Sequence, residues 1–259
     1  MRYAREVAIC AAMRLPLASF AALSLLALTA RADERALFSL DLSGTRYGLV
    51  RAAPIVEGKL VVETADIPPS LVTLIDGFVQ GKPVKRDVRL TSGAVVRKTE
   101  GARLLSVKLP ALGSGGTPDV ELTFAAQTLT TQPLLSAKQA AAPPASARII
   151  EFRLDVSGMQ TTLAAKLDAI TVTQKTDGSA TTGDVGFEVA AGGAPPFVAW
   201  QKASTAKPAP RALRVEYVGA DGVAILKVRL ERCTPSRVTP LGASGTTRIT
   251  LACGGMRPD

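Results

Sequence analysis

Phe38-Ser-Leu-Asp-Leu-Ser-Gly44 returns later in the chain as Phe152-Arg-Leu-Asp-Val-Ser-Gly158. In both stretches apolar residues alternate with polar ones, the period of a half-buried strand, and each run ends on Ser-Gly, a turn signal. Three more pairs follow in the same order. Ile67-Pro-Pro69 matches Ala194-Pro-Pro196, and Arg86-Asp-Val-Arg-Leu90 matches Arg211-Ala-Leu-Arg-Val215. Val120-Glu-Leu-Thr-Phe-Ala-Ala126 matches Thr247-Arg-Ile-Thr-Leu-Ala-Cys253. Four ordered matches mean that one fold is written twice, and a repeat sets the architecture before any single element does.

Each copy reads the same way outward from its opening strand. A second strand follows a turn, at 167–174 in the second copy, and a third runs over Lys59–Thr64 or Val185–Ala190. The Pro-Pro element then opens a helix. Leu71, Leu74, Ile75 and Phe78 fall at i, i+3, i+4 and i+7, with proline at the start and Gly81 at the end. The second copy offers Phe197 and Trp200 but Ser204 where the stripe should continue, so its helix is expected to be weaker and shorter. Hairpins turn at Ser92-Gly93 and Ala220-Asp-Gly222, and the last hairpins turn at 113–117 and 241–247. The fold class is therefore mainly β: two tandem small β-barrel or sandwich domains, each with about six strands and one short helix. Residues 136–147, rich in Ala, Pro and Ser, read as a linker between domains at 33–135 and 148–259.

The head of the chain has another character. Arg2, Arg5 and Arg14 precede an apolar run over 15–28, and Ala30-Arg-Ala32 precedes Asp33-Glu34. This is the pattern of a secretory signal peptide over 1–32, cut after Ala32. The competing reading is an uncleaved anchor, although the run falls short of the roughly 20 residues a spanning helix needs. The expected location is the periplasm or the exterior of a bacterial cell, with no membrane span once the leader is removed. Arg2, Arg5, Arg14, Arg31 and Glu6 leave with the leader, so the remainder carries 27 basic and 21 acidic residues. That mild excess suits anionic surfaces and equally suits charged strand faces. No dense Lys/Arg block with interleaved aromatics is present, so nucleic acid is not an expected partner.

The chain contains no histidine. Ser-His-Asp and Cys-His machinery and His-ligated metals are thereby excluded. Two cysteines follow the leader, Cys233 and Cys253, and an oxidising compartment favours joining them. Strict alternation places Cys233 on the face opposite Leu226, Val228 and Leu230, whereas Cys253 lies on the apolar face of its strand. A bridge needs a phase shift, at Pro235 or in a bulge beside it.

An opening Phe-x-Leu strand ending in Gly, a central helix, a Gly-turned hairpin and a closing hairpin resemble the tail tube proteins of contractile injection systems. This family includes phage tail tubes and the type VI secretion tube. Residues 152–158 and 167–175 resemble its first two strands, Pro196-Phe-Val-Ala-Trp200 its helix, and 248–256 its last strand. The resemblance spans most of 37–256 and implies a non-catalytic subunit that self-associates through sheet edges. Two features depart from the family: the export leader, and the short 45–58 segment where tube subunits carry a long stapling loop.

The recurring acids offer the only candidate chemistry. Asp41 and Asp155 match, as do Glu63 and Glu188. Acid–base work needs such groups to converge in one cleft, and ordinary strand faces and turns account for them. Gly113-Ser-Gly-Gly116 lacks the Gly-Lys-Ser/Thr ending of a phosphate loop and reads as a strand-connecting tip. Lys82, Lys85, Arg86, Arg89, Arg97 and Lys98 make the first copy's hairpin basic, which fits either a polyanion-binding face or solvated strand charge. No catalytic, cofactor or metal residue is assigned. The expected function is a non-catalytic structural or interaction protein with protein partners or self-association through β edges. The alternative is a monomeric periplasmic binding module for a ligand or polyanion.

Overall fold

The alternation that opens each copy builds a strand wall. In β1 (Leu37–Leu42), Phe38, Leu40 and Leu42 are buried and the residues between them are not. The computed structural model describes residues 37–113, 115, 118–134, 145–159, 164–175, 177–242 and 245–258. The proposed leader and most of the proposed linker lie outside these residues. Among the described residues no helix is long and apolar enough to cross a membrane.

The first copy continues with β2 (Thr45–Ala52), β3 (Lys59–Thr64), helix α1 (Pro69–Val79), β4 (Lys85–Ser92), β5 (Val95–Leu109) and β6 (Val120–Ala125). Its strands pair in the order β5-β4-β1-β2-β3-β6, and β6 returns to β5, closing a six-stranded barrel. Leu40, Val50, Leu60, Leu90, Leu104 and Phe124 fill it, as expected for a barrel too narrow to leave a channel. A further strand, β7 (Thr130–Pro133), runs along β5 beyond the end of β6.

The second copy comprises β8 (Ile149–Val156), β9 (Ala164–Leu167), β10 (Ile170–Gln174), β11 (Ala180–Thr182), β12 (Val185–Ala190), helix α2 (Pro195–Ala206), β13 (Arg211–Gly219), β14 (Ala224–Pro240), β15 (Thr246–Ala252) and β16 (Gly255–Pro258). Its sheet runs β8-β13-β14-β15-β12-β9. Substituting the matching strands of the first copy gives β1-β4-β5-β6-β3-β2, the neighbour order of the first barrel. The match extends to single residues. Asp41 faces Arg89 and Asp155 faces Arg214, while Glu63 faces Glu121 and Glu188 faces Arg248. The ladders of the two long strands slip at the same place, between Leu104 and Ser106 and between Pro235 and Arg237.

Helix α1 buries the predicted stripe of Leu71, Leu74, Ile75 and Phe78, and Val79 with it. It begins on proline, where a missing N–H costs nothing, and the chain turns away at Gly81 with φ +79°. Helix α2 corrects one expectation. It has 12 residues against 11 in α1, so it is not shorter, yet it buries only Phe197 and Trp200. Good helix formers such as Ala203 and Ala206 extend it past the packed part. Trp200 is pinned by donating from Nε1 to the Ala209 carbonyl at 2.7 Å.

A second correction concerns 167–174, expected as one strand. It is two, parted at Asp168 and Ala169. β9 stays in the second sheet beside β12, whereas β10 leaves it and pairs with β5 of the first barrel, Ile170 facing Leu109 and Val172 facing Val107. Asp168 explains the break. Its N–H bonds to the Gly186 carbonyl at 2.9 Å and its carboxylate is held by Arg248, so the chain is tethered to the second sheet just before it departs. With β11 as its partner, β10 forms a hairpin that makes the first sheet nine-stranded. Residues 37–259 accordingly form a single contact unit. Other ties cross between the copies: Leu112 and Leu167 exchange backbone hydrogen bonds at 2.8 and 2.9 Å, as do Ile67 and Ala147 at 2.9 and 3.2 Å. Arg148 bonds Asp66 at 2.9 Å.

Candidate functional site

The first barrel and the second sheet diverge at one seam. In each long strand two residues bulge against one on the preceding strand: Glu100 and Gly101 opposite Asp87, and Glu231 and Arg232 opposite Ala212. Gly101 and Arg232 both have positive φ, 59° and 52°. Glycine takes this conformation freely. Arginine does not, and here its guanidinium is tied to the Gly254 carbonyl at 3.0 Å. The bulge adds one residue to the strand and inverts the side-chain phase. Cys233 therefore turns inward and is fully buried, against strict alternation. Its Sγ is bonded to Cys253 Sγ. The phase shift lies just before Cys233, ahead of Pro235.

In the first barrel the same two positions hold Ala102 and Ala126, both buried. The links that follow also differ. Only Cys253 and Gly254 join β15 to β16, and Gly254 N–H closes the seam by donating to the Glu231 carbonyl at 2.9 Å. Residues 126–129 join β6 to β7. The longer link stands off β5 and leaves a cleft of about 560 Å3, lined by Gly58, Lys98, Glu100, Arg103, Gln127 and Thr128 among others.

Charge is handled differently at the two seams. Glu231 accepts from Arg229 at 2.7 Å and from Arg257 at 2.8 Å. The residues in register with these three in the first barrel are Glu100, Lys98 and Thr130. There the second cation is replaced by a hydroxyl. Lys98, Arg103 and the cross-strand neighbour of Arg103, Lys85, have no ion-pair partner among the described residues.

The recurring carboxylates are not brought together. Asp41 Oδ1 accepts from Gly44 N–H at 2.7 Å and so closes the β1–β2 turn. Asp155 lies exposed on the other sheet. Glu63 pairs with Arg51 at 3.2 Å, and Arg51 also holds Asp119. Glu188 pairs with Lys166 at 3.0 Å and Arg248 at 3.6 Å. These two networks occupy equivalent outer faces of separate sheets, an arrangement that braces strands and offers no shared proton. Among the described residues no group of three or more Asp, Glu, Cys or His could hold a metal ion.

Gly113 serves packing. At φ +81° it presses against the backbone of Ala165 and Lys166, beside the Leu112–Leu167 bridge. Ser114 and Gly116 of that loop lie outside the described residues. The basic hairpin is split by its own pleat. Arg89 and Lys98 face each other across β4 and β5, whereas Arg97 lies over the Phe38 ring, 5.2 Å from its centroid. Elsewhere, burial raises the Asp76 carboxyl and pushes the Tyr217 phenol far above its usual range. The Tyr217 hydroxyl is buried and has no hydrogen-bond partner among the described residues.

No protein-family model matches this chain, and no curated protein does either. The open seam was not anticipated from sequence. Its signals were present, in the alanines standing where the second copy has cysteines and in the longer link that follows β6.

Proposed function

We propose that the chain is an exported, non-catalytic structural protein of bacteria that works through β surfaces, in the manner of a tail tube subunit, as a scaffold or assembly component in the periplasm or outside the cell. The observation that carries this reading is internal strand addition: β10 of the second copy docks on the edge of β5 in the first. Edge addition joins separate chains by main-chain hydrogen bonds in many assemblies, and here one chain uses it within itself. The absence of histidine and the capture of Glu63 and Glu188 in separate ion-pair networks favour a non-catalytic role. Light scattering on the exported protein at high concentration, in moderate salt that screens surface repulsion, tests this reading. A defined oligomer supports assembly, and a strictly monomeric mass removes it. Intact-mass analysis of the same sample tests export, with Asp33 as the expected N-terminus.

A second reading, a monomeric periplasmic binding module, is favoured by the matching edge of the second sheet. Ala126 N–H donates to the Gly58 carbonyl, which sets the phase of β6. Leu122 and Phe124 then bond toward β3, Glu121 and Thr123 bond toward β5, and the groups of Val107 and Leu109 are left to face β10. The residues in register on β14 are Val238 and Pro240. Proline has no N–H, so the edge is blunted where a docking strand needs a donor. A monomeric mass would bring this reading forward.

A further inference from the structure

We propose that the open seam of the first barrel is a binding site for a small anionic ligand carrying a phosphate or carboxylate group. Whether the chain self-associates does not enter into it. A monomeric mass leaves the site standing, and a failure to bind anions leaves the assembly reading standing.

The second sheet acts as an internal control. Residue for residue it carries the same bulge, yet its seam is sealed three times over: by the Cys233–Cys253 bridge, by the Gly254–Glu231 backbone hydrogen bond, and by Arg232 folded onto Gly254. Each seal is absent from the first barrel, where Ala102, Ala126 and Gly101 stand instead. What remains is about 560 Å3 of space, within the usual span of ligand pockets.

The charges follow the same contrast. On the sealed seam Glu231 neutralises two arginines within 3 Å. On the open seam Lys98 and Arg103 flank the cleft, and Lys85 stands beside Gly101, close enough that a Cβ there would lie 2.9 Å from its Cε. Glu100 is exposed and pairs with none of them. The cleft wall carries two cations, Lys98 and Arg103, against one acid, Glu100, and beside it at Gly101 stand Lys85 and Asp87, whose carboxylate accepts from the Gly101 N–H at 2.7 Å. The remaining positive charge of the wall attracts anions. Arg103 can grip a planar carboxylate or a phosphate through two N–H groups, and Lys98 adds a compact charge. Gln127 and Thr128 on the opposite wall offer neutral polar groups to the rest of a ligand.

Inorganic pyrophosphate and citrate, titrated calorimetrically into the full exported chain, are the probes for a free anion. Vesicles of phosphatidylglycerol and phosphatidylcholine, assayed by co-sedimentation, are the probe for a lipid headgroup. Saturable binding of either kind is expected. Lys98→Ala and Arg103→Ala should each weaken it about tenfold, the effect of losing one charged hydrogen bond. Lys202→Ala/Lys207→Ala removes two charges from the far end of α2 and should leave binding unchanged, which separates a cleft from general positive charge. Unchanged melting temperatures keep the comparison clean. Binding by vesicles alone would identify a headgroup as the source, and binding by free anions that compete with vesicles would show that the cleft takes the anionic group itself. No binding by any probe would overturn the proposal, and so would equal losses in the α2 variant.

Discussion

Removing the Cys233–Cys253 bridge should cost the protein about 3 kcal/mol. The two residues are 20 apart in sequence. In the chain-entropy account, opening a loop of that size returns about 11 cal/mol/K to the unfolded state, or about 3 kcal/mol at 25 °C. The cleanest perturbation is Cys233→Ala with Cys253→Ala. The first barrel already carries alanine at both equivalent positions, Ala102 and Ala126, and buries them, so the fold accepts alanine there without strain. For a chain of this size about 3 kcal/mol corresponds to a melting-temperature drop of about 10 °C. Urea denaturation and thermal melting, each with and without reductant, measure it. The native protein should lose about this much on reduction, whereas the double-alanine variant should start lower and not respond to reductant. A drop of under about 2 °C in the native protein would refute the reasoning. It would mean that the seam is held by its backbone hydrogen bond and the Arg232 tie, and that the bulge brings the thiols together at no gain in stability.

Four further outcomes are expected. Gly113→Ala should destabilise by about 2 kcal/mol or more in urea denaturation, because a Cβ at φ +81° would collide with the Ala165 carbonyl, whereas Gly115→Ala, with open space around it, should cost much less. Gly186→Ala should also destabilise, since its Cβ would displace the Asp168 carboxylate from Arg248, and the loss should be read as a shift of the urea midpoint. Tyr217→Phe should leave stability equal or raise it, because the lost hydroxyl is buried and unbonded; a loss above about 1 kcal/mol in urea denaturation would reveal a hidden partner. Asp76→Asn should stabilise at neutral pH. Burial raises the Asp76 pKa in the folded state, so the native protein holds this proton more tightly than the unfolded chain does. Stability therefore falls as pH rises through and above the unfolded value of 3.8, and the advantage of the asparagine should vanish in urea curves taken below that pH.

Much of the fold was legible in the residues. Alternation predicted β1 and its copy, and the strands Lys59–Thr64 and Val185–Ala190 were predicted to the residue. The i, i+3, i+4, i+7 stripe of α1 is buried as written. Three of the four repeated motifs fall at matching ladder positions in both sheets, and the fourth, the Pro-Pro pair, opens the helix of each copy. These features are local. A strand's period, a proline at a helix start and a glycine in a turn act over a few residues, and the repeat states each of them twice. The absence of histidine is likewise complete in the sequence and removes whole classes of chemistry without any coordinates.

Other features exist only where distant segments meet. Nothing near Ile170 announces that its strand leaves one sheet for another, because the cause is an edge on β5 and a tether between Asp168 and Arg248, 80 residues apart. The inward turn of Cys233 depends on a bulge opposite Ala212, a matter of pairing register that alternation within one strand cannot register. The open seam is a difference between two ladders that agree almost everywhere else. The sequence by itself determined the elements, their duplication and the chemistries ruled out. Tertiary structure alone decided which edges are covered, where the thiols meet and where cations stand beside empty space, because those depend on which backbone lies next to which.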